Sequence, residues 1–123
     1  EMNFPSQWHP AKSVNAMRFC CALAHDMPAL TAFSREAFAA YFGAEENLDD
    51  PAMLIAAANR AGLDGNALWA AAQSDDVKAL LRANTDELIA RGGYGSPTIF
   101  VDGSDMYFGN DQLPLVEAAL MRT

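Results

Sequence analysis

Two short stretches near the end of the chain carry the residue types best suited to hold a ligand. The first is Ser96-Pro97, whose peptide bond is either cis, as only about 5–6% of X-Pro bonds in folded proteins are, or an ordinary trans bond at the start of a strand. The second is Gly109-Asn110-Asp111, which opens the last amphipathic segment. Free N–H groups at the start of a helix attract carboxylates, so this corner is a candidate anion site. The residues also allow a simpler interpretation, in which Asp111 caps the last helix and Pro114 lies in its first turn.

The remaining reactive side chains form no pattern that indicates a redox or metal site. Cys20 and Cys21 are adjacent, and on a helix their side chains point about 100° apart, so a bridge between them would be strained. We expect two free thiols in a reducing, cytoplasmic compartment. There is no C-x-x-C motif, and His9 and His25 stand alone, so we expect no metal site. His9 is either an acid or base or, more simply, an exposed loop residue.

Charge and apolar patterning exclude two classes of partner. The 123 residues carry a net charge of −8, which disfavours binding to nucleic acid and to anionic membrane surfaces. Apolar runs such as "AMLIAAA" are far shorter than a membrane span. The length fits one domain that is large enough to bury a hydrophobic core, and the abundance of alanine predicts closely packed helices.

Capping residues and helix-ending glycines along the chain predict five helices, after which the residue pattern becomes that of β-strands. Caps are expected at Ser13, Asp50, Asp64 and Ser74, and glycines at 43, 62 and 92–93 end helices. The predicted helices run from Ser13 to about His25, Pro28 to about Phe42, Pro51 to about Ala61, Asp64 to about Gln73, and Ser74 to about Ala90. On the first, the apolar face is predicted to hold Val14, Met17, Cys21 and Ala24. Aromatic core residues are expected at Phe33, Phe38, Phe42 and Trp69.

A hairpin is predicted after Pro97, followed by a final helix to about Met121. "TIFV" and "MYF" flank the turn "DGSD". A lone two-stranded hairpin is marginal in water, and "TIFV" is apolar on both faces, as in a buried strand. Either the hairpin completes a sheet that belongs to something else, or part of the protein is missing.

The end of the chain resembles the thioredoxin-like proteins of the DsbA and kappa-class glutathione transferase group, most of all the 2-hydroxychromene-2-carboxylate isomerases. That family has a G-x-x-G-x-P-T motif, then a hairpin, then F/W-G-N/S-D-R-L opening the last helix. The first motif is matched at Gly92 or Gly93, Gly95, Pro97 and Thr98, and the second at Phe108, Gly109, Asn110, Asp111 and Leu113. The sequence departs at Ser96, often Val or Ile in the family, and at Gln112, where the family has Arg.

The resemblance implies a mostly helical α+β fold containing an incomplete thioredoxin fold. Residues 1–12 would be an opening loop, 13–91 a helical insertion domain, and 92–123 the C-terminal half of a thioredoxin-like domain. The family's first strand–helix–strand unit has no counterpart here. The reactive Ser of the family is therefore expected upstream, and we expect the 123-residue chain to be inactive by itself.

The resemblance also assigns roles in binding glutathione. A cis bond at Ser96-Pro97 would turn the Ser96 backbone outward to pair with the cysteinyl part of glutathione. The amides of Gly109, Asn110 and Asp111 would meet the γ-glutamyl carboxylate, and the Asp111 side chain its ammonium. In the family the opening loop, here with Trp8 and His9, runs near the substrate cleft. Asn15 and Arg18 are candidates for contact with an anionic substrate, or else are solvated or pair with another helix.

Three functions follow as hypotheses. The first is a glutathione-dependent isomerase or transferase, a homodimer acting on an aromatic carboxylate by reversible thiol addition. The second is a DsbA-like thiol–disulfide oxidoreductase, which would need a C-x-x-C upstream. The third is a non-catalytic helical binding module.

Overall fold

The computed structural model describes residues 1–122, which form six α-helices and one two-stranded antiparallel sheet. The helices and strands are α1 Val14–Ala22, α2 Met27–Phe38, α3 Pro51–Arg60, α4 Gly65–Ala72, α5 Asp75–Ala90, β1 Thr98–Val101, β2 Asp105–Phe108 and α6 Leu113–Met121. A π-helical turn at Ala39–Gly43 continues α2, and a 3-10 turn at Asn110–Gln112 precedes α6. The predicted mostly helical α+β class is confirmed. No helix in this range has the length and apolarity needed to cross a membrane.

The chain divides by its internal contacts into two units. The first unit is Glu1–Arg82, and the second begins at Ala83. The division falls inside α5, whereas the boundary predicted at 91/92 marks the place where the helical pattern gives way to strands. The predicted domain limits rest on sequence pattern and stay predictions.

Side-chain caps fix where most helices begin. Asp50, Asp64 and Ser74 accept hydrogen bonds from backbone N–H groups two or three residues further on, at 2.9, 3.1 and 3.2 Å. These three predicted caps are confirmed. Asp26 caps α2 in the same way at 3.1 Å, a cap that was not predicted. Ser13 stands at the start of α1 without such a bond in the described residues, so its predicted capping bond was wrong.

The core of the first unit is built from a few large rings and many alanines. Phe19, Phe33 and Leu54 are fully buried. The Phe19 ring lies 5.2 Å from that of Phe33 and 6.2 Å from that of Trp69, between centroids. Small side chains bring α1 against α4 and α3 against both α2 and α4. The buried alanines are Ala16, Ala29, Ala37, Ala40, Ala57, Ala58 and Ala72.

The apolar face of α1 was predicted wrongly. The structure buries Ala16, Phe19 and Leu23, and α1 ends at Ala22 rather than near His25. The predicted face is half-buried or exposed (Val14, Met17, Cys21 and Ala24). Because "MRFCCALA" is apolar on nearly every side, periodicity alone does not select the inward face.

The opening loop is tied by hydrogen bonds to the π-helical turn and to Glu45 just after it. The backbone N–H of Asn3 donates to the Phe42 carbonyl at 2.8 Å, and its side-chain amide reaches the Gly43 carbonyl at 3.0 Å. The Trp8 indole donates to the Glu45 carbonyl at 2.7 Å. The bonds to Phe42 and Gly43 satisfy carbonyl groups that the end of a helix leaves free. Phe38, expected in the core, is 64% exposed beside this turn, so that prediction was wrong.

The second unit packs the hairpin on α6. Thr98 lies opposite Phe108 and Val101 opposite Asp105. Val101 on β1 is buried with Val116 on α6 in a small separate core. Within residues 1–122 no third strand joins the sheet, so both outer edges lack a strand partner.

Arg91 links the end of α5 to the hairpin. Its guanidinium lies 3.6 Å from the centroid of the Phe100 ring and 3.1 Å from the Glu87 carboxylate, and it also donates to the Gly103 carbonyl. Gly92 follows with a φ of +86°, a left-handed conformation that ends the helix as predicted. The hairpin turn is thereby held at the C-terminal end of α5.

Candidate functional site

The loop before β1 contains a cis peptide bond between Ser96 and Pro97, as the resemblance implied. Both residues are exposed. The Thr98 hydroxyl donates to the Gly95 carbonyl, which closes the loop into a tight bend. No hydrogen bond described for residues 1–122 uses the Ser96 N–H or C=O. This peptide edge is therefore free to pair with a ligand backbone.

The second candidate stretch is a bend followed by a 3-10 turn. Gly109 has φ +98° and ψ 148°, a conformation that is nearly restricted to glycine. The Gln112 N–H then donates to the Gly109 carbonyl at 3.2 Å. The N–H groups of Asn110 and Asp111 take part in none of the hydrogen bonds described for residues 1–122. Two backbone donors are thus available at the start of this turn.

Asp111 does not cap the last helix, so that prediction was wrong. The helix α6 begins at Leu113, and no side-chain capping bond is formed at its start in the described residues. The Asp111 carboxylate lies over Gly109 instead, where a Cβ on that glycine would overlap its Oδ1 atom. Its described hydrogen-bond contact is a long one, 3.4 Å from the Gln112 side-chain amide. The carboxylate is exposed and has capacity to accept further hydrogen bonds.

The structure brings the two candidate stretches together at the open end of the hairpin. The Gly109 N–H donates to the Pro97 carbonyl at 3.0 Å. A free peptide edge at Ser96 and the free amides of Asn110 and Asp111 therefore lie in one corner of the second unit. Their predicted role in binding glutathione stays a prediction.

An aromatic pair that was not predicted from the sequence borders this corner. The rings of Tyr94 and Phe108 lie 4.7 Å apart between centroids, and Tyr94 is 73% exposed. The Phe108 ring covers Gly95 so closely that a Cβ there would overlap it, which explains the glycine at that position. One aromatic residue in a glycine-rich loop produces no periodic signal. Its position between two motif glycines was the available clue.

The cysteines lie in the first unit and lack the features of redox-active thiols. Cys20 and Cys21 are free and half-buried. Burial raises the pKa of the Cys20 thiol, and the neighbouring Cys21 raises that pKa further. Burial also raises the pKa of Cys21. Reactive cysteines normally show the opposite shift. The His, Cys, Asp and Glu side chains of residues 1–122 form no group of three placed to hold a metal ion.

The other predicted contact residues also lie in the first unit. His9 is exposed and makes an edge contact with the Phe4 ring, 6.3 Å between centroids. Trp8 uses its indole N–H in the bond to Glu45 described above. Asn15 and Arg18 are half-buried on α1. The Arg18 Nε is buried without a hydrogen-bond partner among the described residues. Roles for these residues in binding a substrate stay predictions.

Comparison with known proteins identifies the family. The sequence model of the protein family described as the DSBA-like thioredoxin domain matches residues 1–121. A search of the curated proteins found no match. The matched family includes thiol–disulfide oxidoreductases and isomerases. The chain therefore belongs to the DSBA-like thioredoxin domain family.

Proposed function

We propose that the chain forms the glutathione-binding part of a glutathione-dependent isomerase or transferase that resembles the 2-hydroxychromene-2-carboxylate isomerases. The observation that carries the proposal is the 3.0 Å hydrogen bond from the Gly109 N–H to the Pro97 carbonyl, which joins the two candidate stretches. The substrate would be an aromatic-derived carboxylate. In this proposal the protein is a cytoplasmic homodimer.

The free polar groups of the corner fit the parts of glutathione. The Ser96 N–H and C=O would pair with the cysteinyl backbone, since Ser96 is exposed and no described hydrogen bond uses this donor or this acceptor. The N–H groups of Asn110 and Asp111 would donate to the γ-glutamyl carboxylate. The Asp111 carboxylate, which makes no capping bond, would accept from the γ-glutamyl ammonium. Gly109 keeps this backbone close to the ligand because it has no side chain.

The aromatic pair supports a flat second substrate. Tyr94 and Phe108 present an exposed ring surface next to the Ser96 peptide. An aromatic molecule can pack on such a surface with its carboxylate in solvent. Bound glutathione would supply the thiol for reversible addition to a conjugated substrate. The role of this chain would be to orient glutathione and the aromatic substrate.

A thiol–disulfide oxidoreductase is the second candidate, favoured by the family match alone. Such an enzyme needs an activated cysteine, usually in a C-x-x-C motif. In this sequence the two cysteines are adjacent, and burial raises the pKa of each. These features disfavour a redox role for Cys20 and Cys21. A helical binding module without catalytic activity is the third candidate.

The glutathione proposal is tested by titrating the 123-residue chain with glutathione and following backbone amides by NMR. Shifts should cluster at Ser96, Gly109, Asn110 and Asp111. The D111N variant should bind about 2 to 10 times more weakly, because one exposed charge-assisted contact is lost. The dipeptide Cys-Gly, which lacks the γ-glutamyl group, should leave the amides of residues 109–111 unshifted.

D102N is the matched control for this titration. Asp102 is also exposed, lies at the opposite end of the hairpin, and has a φ of +50° that asparagine tolerates. This variant changes the net charge equally and should bind glutathione as the wild type does. Equal affinity of D111N and wild type, or shifts confined to other parts of the chain, would refute the assignment.

A further inference from the structure

The first unit contains an apolar cavity that no proposed function uses. Its volume is about 230 Å³, and its walls come from α1, α2, the π-helical turn and the segment before α3. All lining residues lie within residues 1–82 and so within one unit. They include Ala16, Met17 and Cys20 on α1, Ala37 and Phe38 on α2, and Phe42 in the π-helical turn.

Small residues and an irregular turn create this space. Ala16 on α1 and Ala37 on α2 are buried at the wall and fill little volume. The π-helical turn Ala39–Gly43 follows, and such turns recur at functional sites. Because Met17 and Phe38 at its rim are exposed, this space is an open apolar pocket and not an enclosed void. Its lining atoms lack partners that a ligand would supply.

The chemistry of the walls selects a neutral ligand. No charged side chain lines the cavity among the described residues, and its surface is almost entirely carbon. Burying a charge there without a partner would be very unfavourable. Its polar groups are limited to the Cys20 thiol and the hydroxyls of Ser13, Ser34 and Tyr41. A carboxylate such as that of the substrate proposed above is therefore excluded from its interior.

Shape and ring content favour an aromatic ligand. A dry cavity of about 150 Å³ lined by Leu, Ile and Phe is known to hold benzene, so about 230 Å³ accommodates more than one plain ring. The rings of Phe38 and Phe42 stack with their centroids 6.2 Å apart. Phe38 and Met17 are 64% and 42% exposed, which leaves the site open to solvent.

We propose that this cavity binds a neutral aromatic molecule the size of one substituted ring or two fused rings. The proposal is independent of the glutathione site, because it uses residues of the first unit alone. It assigns to the helical unit a binding activity of its own.

The two cysteines provide a built-in test. Cys20 lines the cavity, whereas Cys21, the next residue, does not. In the C21S variant, alkylation of Cys20 by N-ethylmaleimide should slow as indole is added. At ten times the Kd of indole the rate should fall about tenfold. In the C20S variant, alkylation of Cys21 should be unaffected by indole.

Variants of the wall and a charged probe define the site further. A37L, made in the C21S background, should fill the space and abolish protection by indole. If A37L does not fold, F38A serves instead, since Phe38 is exposed and its loss should raise the Kd of indole at least about threefold. F4A, which removes an exposed ring outside the cavity, should leave the Kd unchanged. The anion 2-naphthoate should protect Cys20 far less than indole does.

Four results would overturn the proposal. These are no saturable protection of Cys20, equal protection of both cysteines, equal protection by 2-naphthoate, and full protection retained in A37L or F38A. A fifth is Cys20 reactivity that falls with protein concentration when indole is absent. That result would show that a second copy of the chain covers the cavity.

Discussion

Replacing Gly109 with alanine should loosen the hairpin by an amount that its backbone angles predict. At φ +98° and ψ 148°, a residue with a Cβ costs about 1–3 kcal/mol. The added Cβ would also overlap the Asp111 carboxylate, which can rotate away because it is exposed. The free-energy cost of G109A therefore comes mainly from the backbone conformation and not from the overlap with Asp111. Since 1.4 kcal/mol is a factor of ten, the equilibrium constant for opening the hairpin should rise roughly 5 to 150 times.

Hydrogen exchange measured by NMR reports this opening directly. The amides to follow are those of the β1–β2 ladder and the Gly109 N–H, which donates to the Pro97 carbonyl. Exchange of these amides should accelerate in G109A by the factor given above. Amides of α3, in the first unit, serve as an internal reference within the same sample.

G103A is the matched variant for this experiment. Gly103 also has a positive φ, +86°, but a Cβ there would meet nothing within 4 Å. Its cost should be that of a left-handed residue alone, about 1–2 kcal/mol. G109A should therefore accelerate exchange at least as much as G103A does. Exchange in G109A that matches the wild type would show that Gly109 does not hold the strained conformation.

Two further perturbations test the first unit. L54A should lower the free energy of unfolding by about 2–5 kcal/mol, because Leu54 is fully buried, whereas V14A, at a half-exposed position, should lower it by less than about 0.5 kcal/mol. Urea denaturation followed by the fluorescence of Trp8 and Trp69, both in the first unit, measures the two changes. Equal effects of the two variants would contradict the described core. Burial raises the pKa of the Cys20 thiol and the neighbouring Cys21 raises it further, so the folded chain keeps a thiol proton that the unfolded chain loses at about pH 8.5. Stability from this group should be complete below that pH and decline as pH rises through the folded pKa, so the wild type should lose more stability than C20S between pH 8 and 10, and identical losses would contradict the burial of Cys20.

Local signals predicted much of the helical framework. The Asp50-Pro51 pair places a cap and a residue with fixed φ at the start of α3, and the cap is observed as a 2.9 Å bond. Gly62 and Gly92 take the positive φ that ends a helix. Signals of this kind involve neighbours in sequence, so they are visible before any packing is known.

Features that depend on tertiary context were not predictable. The inward face of α1 was misassigned because its apolar residues surround the helix, and contact with α4 decides which side is buried. Asp111 was misassigned as a cap because its carboxylate lies over Gly109 and because a 3-10 turn at Asn110–Gln112 delays the start of α6 to Leu113. Residue patterns indicated the two stretches Ser96-Pro97 and Gly109-Asn110-Asp111, but not the hydrogen bond that joins them.

The alanine-rich interior of the first unit makes it asymmetric in its tolerance of mutation. Ala57 and Ala58 are both fully buried, with 0% exposure. Their side chains are single methyl groups, so a substitution cannot open a large cavity at either position. Every substitution there other than glycine adds atoms between two helices that already touch, and crowding of this kind costs about 1–3 kcal/mol or more. Sequence drift in this bundle should therefore be restricted most at its smallest residues, where growth pushes helices apart.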